Sequence, residues 1–213
     1  MTAPDGVFVH PQGLCESVDV GPGTRVWAFA HVLPGAIIGA DCNICDHAFI
    51  ETGARIGDRV TVKNAVLVWD GVTVEDDVFL GPNVVFTNDL RPRAHIKKAR
   101  EELTPTLVRR GATLGAGVTV VCGTTIGEHA FVAAGSVVTR DVPAHAMVVG
   151  NPGRQVSWVC TCGGRAVLVA NASGDVKEPS WDGEANVGSY PYECKCPTVV
   201  SGAGRHKPGE STA

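Results

Sequence analysis

From Phe8 onward an apolar side chain recurs at every sixth position: Leu14, Val20, Val26, Val32, Ile38, Ile44, Ile50, Ile56, Val62, Val68, Val74, Leu80 and Phe86. After an interruption the same step runs through Val108, Leu114, Val120, Ile126, Val132 and Val138. Four residues beyond each aliphatic position stands a small or β-branched one, as at Ala30, Ala36, Cys42, Ala48, Ala54, Val60, Val66, Val72, Val78 and Val84. A helix would alternate apolar spacings of three and four, and a plain strand would alternate strictly; neither period fits. A short strand followed by a corner does. Turn-forming residues fill the intervening positions, among them Pro34-Gly35, Asp58, Asn64, Asp70-Gly71, Asp76-Asp77 and Pro82-Asn83. The pattern predicts an all-β parallel solenoid.

Runs such as IGADCN, IGDRVT, LGPNVV, LGAGVT and IGEHAF resemble the hexapeptide-repeat family of left-handed β-helix acyltransferases. The resemblance implies triangular coils of three hexads and a left-handed winding. That hand does not follow from the repeat, because parallel crossovers are normally right-handed. Some twenty hexads predict somewhat under seven coils.

Composition narrows the class. With 26 Gly and 13 Pro, the chain of 213 residues suits a fold made of corners. A net charge of −4 argues against nucleic acid as a partner. Neither an uninterrupted apolar span nor a basic-then-apolar leader is seen, so a cytoplasmic protein without membrane association is expected. In that compartment eight Cys residues are expected as thiols or metal ligands rather than disulfides. Cys42 and Cys45 form a CxxC, but one falls on an inward hexad position and the other just after an aliphatic residue, so they should point apart. Cys160, Cys162, Cys194 and Cys196 instead bracket a segment with little apolar content, the pattern of a structural zinc clip, with free thiols as the alternative. The expected organisation is a β-helix over 1–158 with a loop at 91–107, a small Cys-rich extension over 159–200, and a disordered tail over 201–213.

The interruption is basic: Arg91, Arg93, His95, Lys97, Lys98 and Arg100 precede Glu101 and Glu102. Such a loop is either a phosphate grip or a solvated surface segment with a helical turn. Its flanks favour the former. Asn88 stands eighteen residues after Asp70, one coil on, so the two should stack at a corner about 4.8 Å apart. Continued across the loop, the hexad count brings Cys122 into the same column.

Thr24–His31, Trp69-Asp70-Gly71, Gly81–Asp89, Leu107–Gly115 and Val148–Gly153 resemble segments of bacterial N-acyltransferases that modify nucleotide-linked 3-amino sugars. The likeness covers roughly residues 8–158. It implies transfer of an acetyl group from acetyl-CoA to a sugar amine, in a homotrimer with sites between subunits, for bacterial surface polysaccharide or glycosylated-metabolite biosynthesis. Asn88, Asp70 and Asp89 are then the candidate catalytic residues: Asp70 to orient or deprotonate the amine, Asn88 to hold the nitrogen or the sugar, Asp89 to assist. The proton's destination, a side chain or the departing thiolate, stays open. Substrate-binding candidates are His31, His47, Lys63, Asn64, Trp69, Arg91 and Arg93. Coenzyme candidates are Gly117, Cys122, Ala134, Gly135, Asn151 and Arg154, where small residues admit close backbone approach. His129 and His145 are expected to be solvated, and Trp27, Phe29 and Trp69 to face outward towards a ligand or another subunit.

Two other classes compete. A zinc carbonic anhydrase of the γ type on the same solid needs two His ligands five residues apart, and no pair of the seven histidines has that spacing. A non-catalytic sugar-nucleotide-binding scaffold, or an acyltransferase with another acceptor or a longer acyl donor, remains as the alternative.

Overall fold

The structure, a computed structural model, describes residues 4–168 together with Tyr192 and Glu193. Strands of two to four residues stack in parallel register into a three-sided solenoid. The first face is an eleven-stranded sheet that begins at Phe8–Val9 and Arg25–Val26; the second has seven strands, among them His31–Val32, Phe49–Ile50, Leu67–Val68 and Val85–Phe86; the third has five, among them Ile37–Ile38, Arg55–Ile56 and Val72–Val74. Along each turn the chain visits them in that order.

The two inward positions of the hexad form the core. Val26, Val32, Ile44, Ile50, Val62, Val68, Leu80, Phe86, Leu114 and Ile126 are fully buried, and so are the small residues at the second position. Each such aliphatic side chain stabilises by roughly 1.5–3 kcal/mol relative to exposure. The glycine that follows many aliphatic positions is there for space. A Cβ on Gly115 would lie 2.5 Å from the Ala134 nitrogen, and one on Gly81 2.7 Å from that of Ala116.

The first coil corrects the sequence reading. Phe8 and Leu14 pair with Arg25 and His31, and both face outward, 46% and 44% exposed; Val9 and Cys15 take the inward places opposite Val26 and Val32. From Cys15 to Val20 the step is five residues, and with the bridge from Val20 to Ile38 the hexad phase is set for the rest of the chain.

The far end differs as well. Eight strands of the first face run parallel, Phe8–Val9 through Ala146–Val149, more than the coil count expected. Three antiparallel strands then extend that sheet: Arg154–Val159, Arg165–Leu168 and Tyr192–Glu193. The expected boundary at residue 158 lies inside the first of these. The expected tail, 201–213, lies outside the described residues.

Candidate active site

Each side of the prism ends in a corner, and the three corners carry different chemistry. The corner after the seven-stranded sheet bears the loop. Leu67 pairs with Val85, and Val85 and Phe86 with Thr119 and Val120. Two residues beyond each strand, Asp70, Asn88 and Cys122 therefore occupy one column, as the spacing of eighteen predicted. Across the loop the neighbouring face pairs Val72 with Thr106, an offset of 106 − 72 = 34 residues, so the loop inserts 34 − 18 = 16 residues without disturbing the phase. Its neck is closed by the Thr104 N–H, which donates to the Asn88 carbonyl at 2.9 Å.

The loop folds back onto the column. The Arg100 guanidinium grips Asp70 through two nitrogens, Nε at 2.5 Å from Oδ2 and Nη2 at 2.7 Å from Oδ1. The Asp70 backbone N–H donates to Glu51 Oε2 at 2.8 Å. Lys98 forms an ion pair with Asp89, whose Oδ1 also accepts the Arg91 backbone N–H at 2.7 Å. The Lys98 contact, followed by the Arg91 N–H, lowers the Asp89 pKa from the ordinary carboxylate value. The carboxamide of Asn88, by contrast, makes no hydrogen bond among the described residues, although it is half-buried at the neck. Cys122 is buried beside it, its backbone N–H bonded to Thr87 Oγ1. Asp70 and Arg100, with Gly53, Arg55, Thr73 and Leu103, line a cleft of about 500 Å³.

The loop's cations divide. Arg91 and Arg93 are exposed, and Arg93 bonds to the neighbouring Pro92 carbonyl. Lys98 and Arg100, which were not singled out from the sequence, are the two that reach back. A short helical turn, Arg100–Glu102, presents Arg100.

The corner between the eleven- and seven-stranded sheets carries Phe29, His47, Ala65, Asn83, Gly117 and Gly135 in one column, all at positive φ. His47 stacks on Phe29, with ring centroids 4.9 Å apart. Lys63 and Asn64 precede Ala65 at the same corner. In the later coils the column turns to glycine, and a Cβ on Gly117 or Gly135 would meet nothing within 4 Å. This leaves an exposed backbone edge, with Ala134 exposed beside it. Between the two corners, the seven-stranded sheet presents His31, Phe49 and Trp69 in ring contact. His31 also meets Glu16 at 2.8 Å, and the Trp69 indole N–H is committed to the Phe86 carbonyl at 2.9 Å. At the far end Asn151 is exposed, and Arg154 shares a cleft of about 410 Å³ with Arg140, which stands next above Cys122 in the loop column.

At the third corner the solenoid itself engages the carboxylates. Asp58 Oδ1 accepts the Ala40 N–H and Asp76 Oδ1 the Asp58 N–H, while Arg59 binds Asp77 at 2.7 Å. Further along it, His129 and His145 lie 5.2 Å apart, and burial lowers both pKa values below that of an ordinary imidazole. His145, expected to be solvated, is 2% exposed, because the antiparallel strand Arg154–Val159 covers it and the Val159 carbonyl lies 3.1 Å from Nδ1.

The cysteines correct one further expectation. Cys42 and Cys45 are both buried, and burial raises both thiol pKa values, that of Cys42 to about 11. Cys160 is buried, and Cys162 is disulfide-bonded, which departs from the thiol or metal-ligand state expected. Cys194 and Cys196 lie outside the described residues. Among those described, no group of three or more His, Cys, Asp or Glu is arranged to hold a metal. No helix of the described residues is long and apolar enough to cross a membrane.

The family described as "Bacterial transferase hexapeptide (six repeats)" matches residues 17–52 and 105–140. A dTDP-3-amino-3,6-dideoxy-alpha-D-galactopyranose 3-N-acetyltransferase of Aneurinibacillus thermoaerophilus is 51% identical over 164 residues, 77% of this chain and 84% of the relative. The chain belongs to the hexapeptide-repeat acetyltransferases. Over 49 residues, 23% of this chain and 14% of the relative, it is also 53% identical to serine acetyltransferase 4 of Arabidopsis thaliana. Among solved structures, the acetyltransferase domain of PglB from Neisseria gonorrhoeae, in complex with acetyl coenzyme A, shares the fold at a TM-score of 0.50 and 22% identity, over 71% of this chain and 58% of that one.

Proposed function

We propose that this chain transfers the acetyl group of acetyl-CoA to the amino nitrogen of a nucleoside-diphosphate-linked 3-amino-3-deoxy sugar. The observation that carries the reading is the 51% identity to a dTDP-3-amino-sugar 3-N-acetyltransferase across 84% of that relative's length. The loop corner supplies chemistry that fits. An unengaged carboxamide and a fixed carboxylate share one column there, suited to receive an amine that must be neutral, oriented and close to a thioester.

In the proposed reaction the amine lone pair attacks the thioester carbonyl, the C–S bond breaks, and the new amide loses one proton. The leaving thiolate takes that proton and departs as the coenzyme thiol, so no basic side chain is required. Asn88 holds the nitrogen or the developing oxyanion through its carboxamide, and Asp70 accepts an N–H of the amine. Asp89, engaged by Lys98, anchors the loop root.

The pantetheine arm is assigned to the exposed glycine edge at Gly117, Ala134 and Gly135, with Arg154 and Arg140 as cations for its phosphates. That edge and the Asp70 column lie at opposite sides of one face, six residues across, or at most about 20 Å of extended chain. A second copy that brings its glycine edge against the loop corner would close this gap, as the homotrimer that the family resemblance implies would do. The proposed site of the reaction is the cytoplasm.

The test is incubation of the purified chain with acetyl-CoA and a panel of UDP- and dTDP-linked 3-amino sugars. The expected result is coenzyme thiol release together with the mass gain of one acetyl group on one panel member. Tight binding of a sugar nucleotide without thiol release would instead make the chain a recognition scaffold.

A further inference from the structure

We infer that Arg100 is a positioning residue for acyl transfer, acting through Asp70: the loop is present at this corner to deliver one guanidinium that fixes the direction of one carboxylate. The inference rests on the reading of the loop corner as the transfer site.

Several observations carry it. The contact is bidentate, with Arg100 Nε and Nη2 each on its own oxygen of Asp70, the geometry that fixes a carboxylate's plane as well as its place. The two partners are unequally exposed, the Asp70 side chain 16% and that of Arg100 60%. Asp70 is thus held in the wall of the cleft while the cation reaches it from the solvent side. The contact spans thirty residues of sequence, and the rest of the loop is arranged to make it: Thr104 closes the neck on Asn88, and Lys98 ties the root at Asp89. At the third corner, by contrast, the Asp58 and Asp76 carboxylates are held by backbone N–H groups of the neighbouring coil. On the Asp70 carboxylate the corresponding partner is brought from outside.

Each Asp70 oxygen retains a second lone-pair direction while bound to the guanidinium. A substrate N–H can be accepted there, so Arg100 aims the carboxylate without occupying all of it. Without Arg100, the carboxylate turns about its side-chain bonds and the amine loses its near-attack placement, an effect that falls on kcat rather than on the binding of the coenzyme or the nucleotide.

The test is a double-mutant cycle on Arg100→Ala and Asp70→Asn, with kcat and KM measured by coenzyme thiol release and folding checked by thermal melting. Arg100→Ala is expected to lower kcat by about 10- to 100-fold with KM values changed by less than about threefold. Arg100→Lys should recover part of the loss. In the Asp70→Asn background, Arg100→Ala should cost little more, because its route is already removed. An equal loss in both backgrounds would mean that Arg100 only holds the loop, and an unchanged kcat would remove it from the reaction; either overturns the inference. Absence of thiol release in the unmodified protein would instead be a failure of the proposed function.

Discussion

Two corners of the same prism hold carboxylates at equivalent points of the repeat and use them in opposite ways. At the third corner Asp58 and Asp76 accept backbone N–H groups of adjacent coils, and Arg59 closes the set against Asp77. Both carboxylates there are held by partners that the solenoid supplies. At the loop corner the Asp70 carboxylate is held by a cation from an inserted segment, and Asn88 beside it keeps its carboxamide unengaged. Corner Asp and Asn residues are favoured by local backbone chemistry wherever a chain turns sharply. Residue type therefore does not separate a structural corner from a chemical one; the source of the partner does.

Four substitutions sharpen this contrast. Asn88→Ala should have the largest effect, lowering kcat by about 100- to 1000-fold, the usual cost of removing an aligned hydrogen-bond donor at a transition state. The melting temperature should stay near that of the unmodified protein, since no described hydrogen bond is lost.

Gly135→Ala comes next. Ala65 shows that this column accommodates a methyl group at positive φ, so the fold should survive, while a side chain on the glycine edge should raise KM for acetyl-CoA by roughly tenfold, or about 1.4 kcal/mol. An unchanged KM would move the pantetheine arm elsewhere.

Arg59→Ala, at the third corner, should leave kcat unaltered. Because its ion pairs are exposed, the loss in denaturant-measured stability should be under about 1 kcal/mol. A fall in kcat comparable to that of Asn88→Ala would erase the distinction between the corners.

Thr106→Val should be the mildest. The Thr106 hydroxyl occupies a buried hexad position at the loop neck without a hydrogen-bond partner, so the isosteric valine should raise stability by about 1 kcal/mol and leave activity intact.

The hexad was legible because the inward side chains that define it are also those that make the core. The column of Asp70, Asn88 and Cys122 was legible for the same reason: the insertion leaves the chain in phase, so counting survives it. The first coil was misread because Phe8 and Val9, and likewise Leu14 and Cys15, are adjacent apolar residues, and the five-residue step that chooses between them lies downstream at Val20. The burial of His145 depends on an antiparallel strand that follows no hexad rule. Arg100 could not be distinguished from the five other basic residues of the loop, because its significance is a contact thirty residues away. The zinc reading relied on cysteine spacing, and spacing does not reveal that Cys162 is disulfide-bonded.

The measurement that bears most directly on the account is a crystal structure of the protein with coenzyme A and a dTDP-linked 3-amino sugar. The account predicts the sugar amine within hydrogen-bond distance of Asn88 and Asp70, the coenzyme sulfur facing it at the loop corner, and the Arg100 contact to Asp70 retained. An amine seated at the Arg59 corner, or a coenzyme that runs along a face remote from Gly117 and Gly135, would contradict it.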